Sequence, residues 1–444
     1  MKKKLLILGV TGLLVVLVAS IALAEIEFSV GGHFRALSYW ITNPDLVKGG
    51  PERSYTEQRL ILNPVLKISD SIQVKARIRA LDYIWGDNGV PGLTWPGMGV
   101  YDPATTSIVA TNQGESGTNN FQWDRAWVHI FLGKYGSLQI GRQQTDLFHN
   151  YSIAEDDTYP RYHYITPVFN PAPDQNLMFG MFYDKRSEGN INVVTGDGIN
   201  DSFAWCPWAF FWNPKITVGA GLFEWVWSGL GPAGEAGIWN QVFVMINTKL
   251  GPVDIKSEGD IFFGKMIGTY LDYKHNLQFF VDASVPLETS PYIDKVAVVV
   301  GLFQGATDSV TDFTGALGSN EDWVDEWKID LILWDQIYNT IGNAWIIRPK
   351  IDFVVPDTKW GGFLSACMSF ADQEAQYNAA PAGIVLTTGT EKSIGTEIDL
   401  GLNYTLGPRQ TIELVAGLLM PGKYFDEANR DTTIGVAVKT HIRF

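Results

Sequence analysis

Ile434-Gly435-Val436-Ala437-Val438-Lys439-Thr440-His441-Ile442-Arg443-Phe444 ends the chain. In an extended segment the side chains alternate between two faces. Ile434, Val436, Val438, Thr440, Ile442 and Phe444 therefore share one face, and Gly435, Ala437, Lys439, His441 and Arg443 share the other. A strand built this way meets an apolar medium on one side and water or small neighbours on the other.

The same alternation continues upstream. Ile412, Leu414, Ala416, Leu418 and Met420 alternate with Glu413, Val415, Gly417 and Leu419. Before them, Ile398, Leu400, Leu402, Tyr404 and Leu406 alternate with Glu397, Asp399, Gly401 and Asn403. Gly407-Pro408-Arg409 joins these two segments tightly, whereas residues 421–430 make a longer connection. Tight turns recur at Ser69-Asp70-Ser71, Gly133-Lys134-Tyr135-Gly136 and Leu250-Gly251-Pro252. Alternating segments of about ten residues, joined by short turns at one end and long loops at the other, are the signature of an outer-membrane β-barrel. A soluble sandwich shows the same alternation, but a terminal aromatic such as Phe444 is what such barrels present to the barrel assembly machinery.

Composition agrees. Of 444 residues, 46% are apolar, 18% charged and 13% aromatic, with 45 Gly, which excludes a disordered chain. Residues 1–24 carry Lys2-Lys3-Lys4, an apolar run from Leu5 to Val18 and Ala22-Leu23-Ala24, the pattern of a secretory signal. An uncleaved anchor is the competing reading. Residues 25–444 then form one barrel domain, exported through the periplasm to the outer membrane of a Gram-negative cell. No later run is long and apolar enough for a spanning helix. Cleavage leaves 30 basic against 48 acidic residues and moves the net charge from -15 to -18, which argues against nucleic-acid binding. Cys206 and Cys367 are too few for a disulfide scaffold or a Cys-based metal site.

The pattern predicts strands near residues 26–39, 55–68, 72–86, 120–132, 137–144, 175–185, 190–196, 202–213, 215–228, 238–250, 252–265, 268–286, 294–307, 344–355, 361–376, 395–406, 410–421 and 431–444. That is about eighteen, with sixteen, the next lower even number, as the fallback if two strands in residues 185–215 are one. Trp40, Trp85, Trp123, Trp225, Trp227, Trp239, Trp345 and Trp360 fall near predicted strand ends, where amphipathic rings form interfacial girdles. Parity turns Ile26, Phe28, Val30 and Phe34 toward lipid, with Leu60, Leu62, Leu66 and Ile68 from the second strand.

The opposite faces would line the lumen. From the last strand through the first four they carry Lys439, Arg443, Arg35, Arg59, Lys67, Lys75, Arg77, Arg79 and Arg125, opposed by Glu27 and Glu57. Elsewhere the lumen carries acids: Glu397, Asp399 and Glu413 on the neighbouring strands, and Asp254, Glu258 and Asp260 around Lys256 farther round. A transverse field follows, and basic rings favour anions. Arginines in a column can pass a carboxylate along by paired hydrogen bonds. Solvation of an ordinary polar lumen is the competing reading.

Two loops are candidate gates. Residues 146–174 carry Glu155-Asp156-Asp157 and then Arg161 and His163, a set able to fold into the mouth and face the basic wall; a solvated outer loop is the alternative. In residues 319–341, Trp323, Trp327, Leu331, Trp334, Tyr338 and Ile341 recur at spacings of four and three, which predicts a helix over the pore, though a strand competes. The acids of this segment, including Asp330, match no calcium loop, and no cofactor or metal is expected. His33 and His129 lack any nucleophile motif, so no catalytic residue is assigned.

Gln58-Arg59-Leu60-Ile61-Leu62, Asp124-Arg125-Ala126-Trp127-Val128, Ser137-Leu138-Gln139-Ile140-Gly141-Arg142-Gln143 and Gly395-Thr396-Glu397-Ile398-Asp399-Leu400, followed by Pro421-Gly422, resemble the alginate-export family of outer-membrane porins. The resemblance implies an eighteen-stranded monomeric barrel with an electropositive pore, and Arg59, Arg125 and Arg142 as candidates for its lining. The acidic wall departs from a purely basic conduit and looks more like the substrate-specific carboxylate porins. The expected function is passive passage of small or polymeric anionic solutes. A general diffusion porin and a barrel enzyme are the alternatives. The expected partners are membrane lipid and lipopolysaccharide, with the barrel monomeric or homotrimeric.

Overall fold

The computed structural model describes residues 26–85, 99–102, 107–110, 121–143, 159–187, 202–227, 237–266, 271–304, 316–318, 330–337, 340–373, 385–386 and 390–444. Eighteen antiparallel strands make one closed sheet in which each pairs with the next in sequence. They are β1 (Glu27–Ile41), β2 (Arg53–Ser69), β3 (Ile72–Trp85), β4 (Phe121–Phe131), β5 (Ser137–Gln143) and β6 (Tyr159–Ile165). Next come β7 (Asn176–Ser187), β8 (Ser202–Trp212), β9 (Ile216–Trp227), β10 (Gly237–Leu250), β11 (Val253–Met266) and β12 (Leu271–Pro286). The last six are β13 (Ile293–Phe303), β14 (Ala344–Val354), β15 (Trp360–Ala371), β16 (Ser393–Gly407), β17 (Gln410–Pro421) and β18 (Thr433–Arg443).

Closure comes from β1 and β18, registered from His33 opposite Arg443 to Ile41 opposite Gly435. Phe444 extends the seam, its N–H donating to Gly32 O at 2.9 Å and its own carbonyl accepting from Gly32 N at 3.0 Å. Closing the sheet removes the unpaired edges that an open sheet would expose to lipid. The tight turns at residues 70–71, 251–252 and 408–409 lie at the end where the chain enters β1 and leaves β18. The longest connections lie at the other end.

Parity along each strand decides which medium a side chain meets. Leu364, Leu400 and Leu414 are 47%, 46% and 44% exposed on the outer face, while the alternate residues Ser365, Asp399 and Val415 are buried inside. Exposed leucines beside buried aspartates invert the burial order of a soluble protein, so the outer face is the lipid face of a transmembrane barrel. Trp40, Trp123, Trp345 and Trp360 are exposed on that face. Among the described residues no helix is long and apolar enough to cross a membrane.

The strand count agrees with the sequence reading, but two placements differ. β6 lies inside the stretch 146–174 that the sequence assigns to a loop, and the strand expected at 190–196 lies outside the described residues. The reason is chemical: Tyr-Pro-Arg-Tyr-His-Tyr-Ile has tyrosines on its lipid face instead of aliphatics, and Pro160 near its start reads as a breaker. The helix expected over 319–341 falls only in part on the described residues. Residues 319–329, 338 and 339 lie outside the described residues; the described part holds a single π turn at Leu333–Ile337 in place of an α-helix, and Thr340–Gly342 pairs with Ala316–Gly318 as a short ribbon.

Candidate functional site

The lumen wall divides into three sectors. The basic sector runs from β18 through β1 to β4. Register sets Arg35 directly opposite Arg59 across β1 and β2, and Arg77 directly opposite Arg125 across β3 and β4. All four guanidinium-bearing residues are buried on the inward face. Glu57 is buried on the same face two positions from Arg59. Arg79 pairs with inward Ile61, and Lys75 pairs with Trp127, so both continue the sector. The bulge between Arg77 and Ile78 skips Asp124, so Trp123 pairs with Ile78 and turns outward while Arg125 stays inward opposite Arg77. Register thus gathers four guanidinium-bearing residues on one inward wall.

Arg142 does not join them. It is exposed and pairs with outward Ala126, while the next residue, Gln143, is the buried one. Arg161 also leaves its expected role. It is fully buried on β6, where Nε and Nη2 donate to both carboxylate oxygens of Asp184 at 2.5 and 2.6 Å. Its guanidinium carbon lies 3.9 Å from the centre of the Phe182 ring. It is a wall residue and not part of a constriction loop; Glu155, Asp156 and Asp157 lie outside the described residues.

The second sector is aromatic, and the sequence reading missed it. Phe182, Trp208, Phe223, Phe243 and Phe262 are buried on the inward faces of β7 to β11. Trp225 and Trp239, expected in the outer girdle, pack against this cluster from inside. Trp239 stacks on Phe262 at 5.3 Å and meets Phe223 edge-on at 5.7 Å. Trp208 Nε1 donates to His163 Nε2 at 3.1 Å, and Trp225 Nε1 donates to Ser202 Oγ at 2.6 Å. A side chain at Gly180 would strike the Trp208 ring, its Cβ only 2.2 Å away. Alternation of Phe223 with Trp225 and of Trp239 with Phe243 is the signal that places these rings together on one face.

The third sector combines acids with an inward-folded loop between β13 and β14. Glu397 is fully buried on β16, and its carboxylate accepts the backbone N–H groups of Leu331, Ile332 and Leu333 at 2.9, 2.7 and 2.8 Å. Consecutive N–H groups turned to one side form a nest for an anion, here supplied by the barrel wall itself. Asp330 accepts from Trp334 N at 2.8 Å, and Trp334 Nε1 donates to Ser369 Oγ on β15 at 3.0 Å. The loop then buries Leu331, Ile332, Leu333, Trp334 and Ile337 against Leu37 and Tyr39 of β1, Ile346 of β14 and Val415 and Leu419 of β17.

One contact fixes the register of this loop. Gly417 and Gly435 face each other across β17 and β18. A Cβ on Gly435 would lie 2.9 Å from Ile332 Cγ1, and one on Gly417 would lie 3.3 Å from Ile332 Cδ1. The paired bare positions leave a notch, and Ile332 fills it. The loop-end connections are tied over the knot: Asp431 N donates to Leu46 O at 3.0 Å and Asn429 Nδ2 to Asp45 O at 2.7 Å.

Glu397 and Asp399 are therefore covered by the loop, and neither faces an open passage. Asp260 is buried on β11, where Gln241 Nε2 donates to it at 2.8 Å. Glu413 lies nearer the short-turn end, 3.6 Å from Lys439. Cys206 and Cys367 are buried and unbridged on β8 and β15. Among the described residues no group of three His, Cys, Asp or Glu side chains is placed to hold a metal ion.

Solved structures share this architecture. The chain is similar to OccK8 (OprE) of Pseudomonas aeruginosa at 10% identity and a TM-score of 0.52, over 94% of this chain and 98% of that one. The outer membrane protein opdK of the same organism gives 11% identity and a TM-score of 0.50 over the same shares. At such identities the likeness carries the fold, an outer-membrane barrel. No family model matches the chain, and no curated protein matches it.

Proposed function

We propose that this barrel is an outer-membrane porin that passes anionic, carboxylate-bearing solutes along its basic sector. The observation that carries the reading is the register of Arg35 with Arg59 and of Arg77 with Arg125, four buried guanidinium-bearing residues on one inward wall in a chain whose acids outnumber its bases. Fixed cations in a narrow, low-dielectric passage attract and order anions much more strongly than the same charges do in bulk water. Arg79 and Lys75 extend the track, and Lys439 stands where it reaches the short-turn end. The apolar knot around Ile332 supports a selective conduit over a general diffusion porin, because it fills lumen that a wide pore leaves open to water. Small carboxylates and linear uronates such as alginate both belong to the class this track suits.

Reversal potentials in planar bilayers under a KCl gradient test the reading. The wild-type channel is expected to be anion-selective, and the R77Q/R125Q double variant to lose most of that preference. A cation-selective or non-conducting wild type overturns it.

A further inference from the structure

A separate cavity opens inside the barrel at the short-turn end, below the apolar knot. Its volume is about 860 Å³, and its lining includes His33, Arg409, Glu413, Lys439, His441 and Arg443. Ligand pockets for small molecules span roughly 300–1,000 Å³, so the space suits a compact solute and not just a few waters.

Register explains why bases meet here. His33 stands opposite Arg443, and Arg35 opposite His441, across the β1 and β18 seam. Thr411 stands opposite His441, and Glu413 opposite Lys439, across β17 and β18. Inward parity on β18 delivers Lys439, His441 and Arg443 to one column. The turn after β16 adds Arg409, whose backbone carbonyl accepts from Arg443 N at 2.9 Å. Arg409, Lys439 and Arg443 against Glu413 leave a side-chain excess of two positive charges, from which the terminal carboxylate of Phe444, also in the lining, subtracts one, and Glu413 already lies 3.6 Å from Lys439. Two guanidinium groups offer forked donors that match carboxylate and phosphate oxygens, and His33, His441, Asn63 and Asn403 add further polar partners.

We infer that this vestibule is a binding site for a small, multiply charged oxyanion, held by Arg409, Lys439 and Arg443 at the periplasmic end of the channel. A singly charged solute satisfies only part of the donor set, whereas a di- or trianion reaches both arginines and the lysine at once. The site rests on the anion-conducting reading for its place in the traffic: it is where an anion waits before or after the track of Arg35, Arg59, Arg77 and Arg125.

Calorimetric titration of the refolded full chain in neutral detergent at low salt, with citrate in one arm and pyrophosphate in the other, tests the inference. A saturable single-site isotherm is expected in at least one arm, weakened about tenfold or more in R409Q/R443Q and unchanged in K423Q, which removes an exposed charge at the opposite end. A second measurement uses the unaltered chain: phenylglyoxal modification of Arg409 and Arg443, mapped by mass spectrometry, is expected to fall when the anion that binds is present. No isotherm in either arm, equal affinity in R409Q/R443Q, or equal modification with and without anion overturns the site. Absence of binding in an anion-selective channel removes the vestibule alone, whereas binding to a cation-selective channel removes the conduction reading and leaves the vestibule standing.

Discussion

Two halves of the same strands behave oppositely. Toward the short-turn end the inward residues of β1, β17 and β18 are His33 and Arg35, Thr411 and Glu413, and Lys439, His441 and Arg443. Toward the long-loop end the same parity brings Leu37, Tyr39 and Ile41, Val415, Gly417 and Leu419, and Gly435 and Ala437. Nothing in the backbone changes between the halves. What changes is the cover: an open cavity below, the folded loop carrying Leu331 to Ile337 above. Inward therefore means two environments in one barrel, and the side chains show which one each position meets.

The contrast can be broken at its strongest tie first. Glu397→Ala removes the one acceptor for three buried N–H groups and is expected to cost on the order of 3–5 kcal/mol of loop anchoring, the scale of breaking a buried charged contact. Amide exchange at Leu331, Ile332 and Leu333 should accelerate and single-channel conductance should rise. Unchanged exchange at these amides would mean that the loop is held elsewhere. Ile332→Ala empties the notch above Gly417 and Gly435, which themselves have no side chains to fill it. About 2–5 kcal/mol of destabilisation is expected, read by urea titration of the barrel refolded in lipid vesicles. In the lower half Lys439→Gln should change stability by less than about 1 kcal/mol, since Lys439 and Glu413 form a partly hydrated pair. A loss in Lys439→Gln as large as that in Ile332→Ala would erase the distinction between the halves.

Much of this was legible in the sequence because a barrel has one strict rule. Period two sorts Leu400 from Asp399 and Val438 from Lys439 without knowledge of any partner strand, and tight turns such as the one at residues 408–409 mark where one strand ends and the next begins. The rule weakens where the lipid face is aromatic, as in Tyr159–Ile165, because tyrosine and proline also signal loops. It says nothing of what occupies the interior. Trp334 and Leu331 fit a helical spacing, yet Glu397, distant in sequence, takes up the N–H groups that a helix at that point would otherwise direct along its own axis. Strand-end tryptophans divide likewise: Trp345 and Trp360 face lipid, whereas Trp225 and Trp239 obey parity and turn inward to meet Phe223 and Phe262. Position along the strand suggested a girdle; the face decided otherwise.

The seam between β1 and β18 joins residues about as far apart in sequence as this chain allows, with Thr42 and Ile434 bonded across 392 positions. Bringing such distant segments together carries the largest chain-ordering cost of any pairing in the molecule and belongs to the last stage of construction. His33 and Asn63 come from one side of that seam and Arg409, Lys439 and Arg443 from the other, so an unfinished cylinder keeps the cationic donors but lacks the wall that stands opposite them. Capture of an oxyanion at this spot is thus expected to tighten once the first and final strands have met, because only then are the donors enclosed.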